Sequence, residues 1–331
     1  MGRLRRVRVD DTGWTRRRRG RGFSLLEADG TPVRDDEALA RVRSLAIPPA
    51  WTDVWVCPHA NGHIQATGYD DAGRRQYLYH PDWVARRART KHDHVLDVAR
   101  RLPAARRRVA ADLALRGMPR AKALALAFRL LDTAYFRVGG EQYAREHGSY
   151  GLATVRREHV EVLRRSPKHP EARVRFCFPS KSGQVRDAVI QDDDVVRIVR
   201  QLLARDDEHP ELLAWRDRSG WHDVTSTDVA GYVKEQLGPE ATPKDFRTWH
   251  ATVLAAVALA EAGDPPRSIA GRKRVVAQMV REVAEELGNT PAVCRSSYID
   301  PRVIDLWERG SRIRLSRSAD VTAREVLALL S

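Results

Sequence analysis

Residues 173–190 read RVRFCFPSKSGQVRDAVI. Apolar side chains alternate at Val174, Phe176 and Phe178, the chain turns through PSKSG, and alternation resumes towards Ile190, so the stretch predicts a β-hairpin. Its surroundings have a different period. DHVLDVARRL (93–102), PRAKALALAFRLLDTAYFRV (119–138) and DVVRIVRQLLA (194–204) repeat their apolar residues as helices do and have helical length. The hairpin is therefore a β insertion in a mainly helical domain. VTAREVLALLS closes the chain as one more helix, with Thr322 and Glu325 spaced as a capping box.

Upstream of about Pro81 the pattern belongs to strands. GFSLLEADGTPV turns at Asp29-Gly30, VWVCPHANGHIQATG turns at Asn61-Gly62, and YDDAGRRQYLYH adds another turn and strand. The run RRRRGRG (16–22) reads as a solvated or DNA-facing turn. The expected fold class is α+β: a small β-rich N-terminal domain (1–83), then a larger, mainly α-helical catalytic domain (84–331) that contains the hairpin.

Composition narrows the partner. The 331 residues are 42% hydrophobic and 31% charged, enough for two modest cores, and carry a net charge of +14. Arginine supplies most of the excess and forks onto phosphates, so a polyanion such as nucleic acid is the expected partner. The three cysteines (Cys57, Cys177, Cys294) form no CxxC, which fits a reducing cytosol and argues against structural zinc. MGRLRRVRVDD has no signal-peptide core, and VLAAVALA (253–260) is too short to cross a bilayer, so a cytoplasmic, nucleoid-associated protein is expected.

Five side chains suggest chemistry only when taken together. Arg137 is expected to end the helix ALALAFRLLDTAYFRVGG, with Gly139 at its C′ position; alone, a cation there merely complements the dipole. Lys181 sits at the tip of the hairpin, where a lysine is ordinarily solvated but can also be carried into a groove as a proton donor. Arg247 follows the Thr242-Pro243 helix start and enters just before a buried stretch; a cation early in a helix gains nothing from the dipole. Asn289 precedes Thr290-Pro291, a second cap and first helical position, which puts Tyr298 about two turns into a short helix.

Phosphoryl transfer to a tyrosine needs this set. The phenol is the nucleophile, two guanidiniums clamp the non-bridging oxygens, a lysine protonates the leaving oxygen, and an amide adds a hydrogen bond. Arginines that supply the positive charge make a metal unnecessary. Asp192, Asp193 and Asp194 open a helix as ordinary dipole partners rather than as a magnesium site. There is no Walker A sequence, so no nucleotide cofactor is implied.

These residues resemble the type IB DNA topoisomerases, in particular the short bacterial and poxvirus-like branch. The resemblance runs over nearly the whole chain through RRQYLYH, YFRVGGEQYAREHGSYGLATV, FPSKSG, PKDFRTWHA and GNTPAVCRSSYI, in that order. It implies that Tyr298 forms a 3′-phosphotyrosyl link, that Arg137 and Arg247 clamp the phosphate, and that Lys181 is the general acid. Asn289 falls where viral and eukaryotic relatives carry histidine; an amide can donate to a phosphate oxygen but cannot shuttle a proton. The resemblance puts the QYLYH strand in the major groove, with Tyr77 and Tyr79 on one face and Gln76 on the other, and makes Tyr143 and Lys244 phosphate contacts. Gly140 stands where the viral enzyme has a base-contacting lysine.

The activity it implies is relaxation of positive and negative supercoils, without metal or other cofactor, by a monomer clamping around double-stranded DNA. Two alternatives stay open. A tyrosine recombinase shares the chemistry, but usually shows HxxR where this chain has KDFR (244–247), and its N-terminal module is helical. A non-catalytic nucleoid-binding protein would explain the charge and leave the ordered set unexplained.

Overall fold

A computed structural model describes residues 3–20 and 22–331. The chain divides into two compact units, which meet between Lys91 and His92. The first unit contains strands β1 (Trp14–Arg19), β2 (Gly22–Leu26), β3 (Thr52–Val56), β4 (Ile64–Tyr69) and β5 (Arg75–Tyr79), with helix α1 (Asp36–Ser44) between β2 and β3. The strands form one antiparallel sheet in the order β2-β1-β3-β4-β5. Trp14, Leu25, Val54, Val56 and Ala66 of the sheet pack against Ala38 and Val42 of α1.

Two features here differ from the sequence reading. Arg16–Arg19 is strand, not turn. The Arg16 guanidinium lies 4.1 Å from the Phe23 ring centroid and donates to the carbonyls of Ile47, Pro48 and Trp51, so stacking and backbone acceptors make a charged strand viable. Arg21 of that run lies outside the described residues. Helix α1 interrupts a stretch read as strands. Asp35 caps it, and Asp36 and Glu37 favour its N-terminal pole.

Helix α2 (Pro81–Leu113) runs through the 83/84 boundary expected from sequence and into the second unit. That unit continues with α3 (Arg120–Ala134), α4 (Glu141–His147), β6 (Val160–Leu163), β7 (Arg173–Pro179), β8 (Val185–Gln191), α5 (Asp193–Leu203), β9 (Ala214–Asp217) and β10 (Gly220–Asp223). It ends with α6 (Ser226–Leu237), α7 (Pro243–Glu261), α8 (Ile269–Leu287), α9 (Pro291–Ser297), α10 (Pro301–Glu308) and α11 (Ala319–Leu330). The expected hairpin is β7–β8, joined by β6 into a three-stranded sheet, and β9–β10 is a second, separate hairpin. Among the described residues, no helix is long and apolar enough to cross a membrane.

Helix α3 is the axis of the core. Leu124, Leu126, Phe128, Leu130 and Leu131 are all buried, and Phe128 meets Phe246 of α7 edge-on with ring centroids 4.9 Å apart. Truncating Phe128 to alanine should cost about 3–5 kcal/mol. The helix stops earlier than expected. It ends at Ala134, with Tyr135 left-handed (φ 56°) as its cap, so Arg137 lies beyond the helix in an irregular segment. The last helix also starts differently: Ser318 caps α11 through the Val321 N–H, whereas Thr322 bonds back to Ser316.

Candidate active site

The segment after α3 is fixed by a close backbone crossing. Leu152 N–H donates to the Arg137 carbonyl and Ala153 N–H to that of Val138, each at 2.8 Å. A Cβ on Gly151 would sit 2.4 Å from Gly139 Cα, and Gly139 has φ +78°, so only glycines allow the two strands of backbone to pass. This crossing, rather than a helix end, holds Arg137 in place.

Arg137, Lys181, Lys244, Arg247 and Tyr298, drawn from distant stretches of the chain, line one cavity of about 320 Å³ together with Tyr143. The lining contains four cations and no carboxylate. Arg247 is only 3% exposed. The turn before it is set by the Asp245 carboxylate, which accepts from both the N–H and the hydroxyl of Thr242, at 2.7 and 2.9 Å. Its guanidinium donates to the Leu287 carbonyl at 2.9 Å and to the Tyr135 carbonyl. Arg137 donates to the Gly288 carbonyl at 3.0 Å and to Asn289 Oδ1. Arg186 of β8 donates to Glu286 at 2.7 Å and to Ala134 at 2.8 Å.

These bonds share a physical cause. The last carbonyls of a helix have no partner within the helix and form its negative pole. The C-terminal ends of α3 and α8 therefore offer Ala134, Tyr135, Glu286, Leu287 and Gly288 oxygens, and three arginines occupy them. Backbone carbonyls orient a guanidinium without neutralising it. Among the described residues neither Arg137 nor Arg247 forms an ion pair, so both keep an uncompensated charge towards the cavity. Burial first, and then the charge of Arg137, pushes the Arg247 guanidinium down to about 10, and it stays cationic at neutral pH.

Asn289 lies beside the cavity rather than on its lining. Gly288 (φ +60°) caps the end of α8 and Thr290 caps α9 through Val293 N–H, which leaves Asn289 as the single residue between the two caps. Its Oδ1 faces the Arg137 donor, which fixes the amide orientation, and its Nδ2 is buried with no hydrogen-bond partner among the described residues. The Nε of Arg247 is orphaned in the same way. Two buried donors without acceptors suit an anion.

Tyr298 caps the C-terminal end of α9 and is half-buried. Its N–H and that of Ile299 both donate to the Cys294 carbonyl, at 3.0 and 3.1 Å, and Asp300 N–H donates to Thr252 Oγ1 at 3.1 Å. Cys294, Ile299 and Asp300 are buried, so the tyrosine stands between two anchors. Arg247 Cζ lies 5.1 Å and Lys244 Nζ 5.8 Å from its ring centroid. Lys181 is held differently. It is exposed on the turn that links β7 and β8, and its side chain has no hydrogen bond or ion pair among the described residues.

In the first unit, Tyr77 and Tyr79 project from one face of the edge strand β5 and stack, with ring centroids 5.9 Å apart and planes 9° from parallel. Both are about two-fifths exposed (39% and 42%). Gln76 takes the other face, and its amide donates to Asp70 at 2.8 Å. Tyr143 on α4 stacks on His147 with ring centroids 4.3 Å apart. Sequence reasoning missed Arg186 and Tyr135, whose role at the site depends on where helices end.

Comparison with known proteins follows the two units. Residues 22–70 match the family model "Bacterial DNA topoisomerase IB, N-terminal domain", and residues 81–309 match "Eukaryotic DNA topoisomerase I, catalytic core". The DNA topoisomerase 1B of Acanthamoeba polyphaga mimivirus is 27% identical over 313 residues, covering 93% of this chain and 91% of the viral protein. That of vaccinia virus (strain Copenhagen) is 24% identical over 286 residues, covering 83% and 84%.

Proposed function

The chain belongs to the type IB DNA topoisomerases, and from that premise we propose that it relaxes positive and negative supercoils by cutting and resealing one strand of double-stranded DNA. The observation that carries the reading is the cavity where a tyrosine meets four cations and no carboxylate. Tyr298 Oη attacks the scissile phosphorus, its proton passes to solvent water, and the bond from phosphorus to the 5′-oxygen breaks. Arg137 and Arg247 hold the non-bridging oxygens throughout. The orphaned Asn289 Nδ2 supplies one more donor, the part that an amide can take without shuttling a proton. Lys181 delivers a proton to the departing 5′-oxygen.

The products are a 3′-phosphotyrosyl ester and a free 5′-hydroxyl. Because the ester stores the energy of the broken phosphodiester, attack by the 5′-hydroxyl reseals the strand without ATP, returns the proton to Lys181, and releases Tyr298 Oη, which takes a proton back from water. The arginines supply the charge stabilisation, so the reaction needs no metal. The chain works as a monomer clamping the duplex, with Lys244 and Tyr143 on phosphates and Gln76, Tyr77 and Tyr79 in the major groove, in a DNA-containing compartment such as the nucleoid.

Plasmid relaxation in EDTA without nucleotide is the direct test, paired with Tyr298→Phe. That variant keeps the ring, should lose at most about 1 kcal/mol of stability, and should still bind duplex. It should show no relaxation and form no denaturant-resistant adduct on a nicked suicide substrate. A strict requirement for magnesium or ATP, or an adduct that persists in the variant, would overturn the reading.

A further inference from the structure

Tyr135 is a bulky residue in the left-handed conformation at a helix end where glycine is the usual choice. Such a conformation persists only when its surroundings impose it. The carbonyl of this same residue receives a guanidinium N–H of Arg247. Its ring packs on His250, with centroids 4.9 Å apart and planes tilted by 40°. His250 is one turn beyond Arg247 on α7, and its Nε2 lies 2.9 Å from Asp132 Oδ1. Asp132 is 4% exposed in the last turn of α3 and takes two further bonds from Arg106, at 2.7 and 3.0 Å. None of Asp132, Tyr135 or His250 lines the catalytic cavity.

We infer that Asp132 and His250 form a positioning device: the carboxylate tethers the imidazole, the imidazole holds Tyr135 in its left-handed corner, and the corner's carbonyl aims Arg247 into the cavity. The inference rests on the reading of Arg247 as a phosphate clamp. Arg106 orients the carboxylate from α2 and continues to Asp320 of α11 at 2.9 Å. A tyrosine serves this corner better than a glycine because its ring gives His250 a surface to press on. A glycine would adopt the same φ with no help and would leave the corner free to move.

The test is a double-mutant cycle read by single-turnover cleavage of a suicide duplex at saturating enzyme, with duplex affinity measured separately. His250→Ala should slow cleavage about tenfold, because a small misplacement of a positioned group is costly, while the dissociation constant for duplex changes less than twofold. In a Tyr135→Gly background, where the corner no longer needs the imidazole, the same His250 change should cost less than threefold. If His250→Ala does not melt cooperatively, His250→Gln fills the volume without a ring and takes its place, with the same expectations. Unchanged cleavage beside a lowered melting temperature would overturn the inference, as would effects that multiply independently across the cycle. Arg247→Ala separates the two levels: if it cleaves normally the clamp reading fails, whereas if it is inactive and His250→Ala is normal only the positioning device fails.

Discussion

Arg247 and Lys181 line the same cavity, but the chain holds them in opposite ways. Arg247 rides on a long helix, is 3% exposed, and has carbonyl partners from the ends of two other helices. Lys181 stands exposed on a short turn between two strands and has no partner among the described residues. In the proposed reaction, a charge that must face the phosphate from ground state to transition state works best when fixed beforehand, since nothing then reorganises. A group that must hand over a proton and take it back gains from water and freedom of movement. Burial also dictates residue type. The Arg247 site pushes even a guanidinium down, and an ammonium there would be far more easily neutralised.

The largest effect on this contrast should come from the fixed wall. Arg247→Ala should lower the cleavage rate about a thousandfold, the upper range for loss of one preorganised donor. Arg247→Lys should recover little of it, because a single ammonium cannot reach the Tyr135 and Leu287 carbonyls and the phosphate together. Single-turnover cleavage measures both. Near-normal cleavage by Arg247→Lys would show that the site needs only a charge, and the distinction between fixed and mobile cations would collapse.

The mobile side should respond more mildly and in a way that can be bypassed. Lys181→Ala should slow cleavage about a hundredfold, the low end for loss of a general acid. A substrate with sulfur in place of the 5′-oxygen should restore much of that rate, since a thiolate leaves with little need of a proton. The same substrate should not rescue Arg247→Ala. Rescue of both variants, or of neither, would mean that Lys181 is a clamp like the arginines.

Side-chain chemistry was easier to read in the sequence than backbone geometry. The hairpin announced itself by alternation, and Thr242-Pro243 and Thr290-Pro291 marked two helix starts that the structure bears out. Gly139 looks in the sequence like the cap of α3, whereas Tyr135, which no pattern marks as left-handed, ends it. Helix α1 did carry a signal in Asp35, Asp36 and Glu37, but the alternating stretches around it dominated the reading. The arginine run became a strand through one stacked ring and three carbonyls from a loop some thirty residues away. The carbonyl acceptors that orient Arg137 and Arg247 are backbone oxygens, and an oxygen common to every residue leaves no trace in sequence.

The smallest expected effect concerns thiol labelling, which reports on the two walls without touching the reaction. Cys294 lies in α9 one turn before Tyr298, is fully buried, and belongs to the fixed wall. Burial pushes its thiol up to about 11, with the Arg247 charge only partly opposing this. At pH 8 about one thiol in a thousand would then be ionised, and the thiolate is the species that reacts. Cys177 is exposed on β7, the strand that leads to Lys181. Brief treatment of the native protein with iodoacetamide should therefore modify Cys177 and leave Cys294 untouched, as well as Cys57, which is also buried with its thiol pushed up. Activity should survive, because Cys177 does not line the cavity. Peptide mapping by mass spectrometry gives the answer. Labelling of Cys294 as fast as Cys177 would mean that the wall behind Tyr298 opens readily, and the nucleophile would then belong with Lys181 on the mobile side.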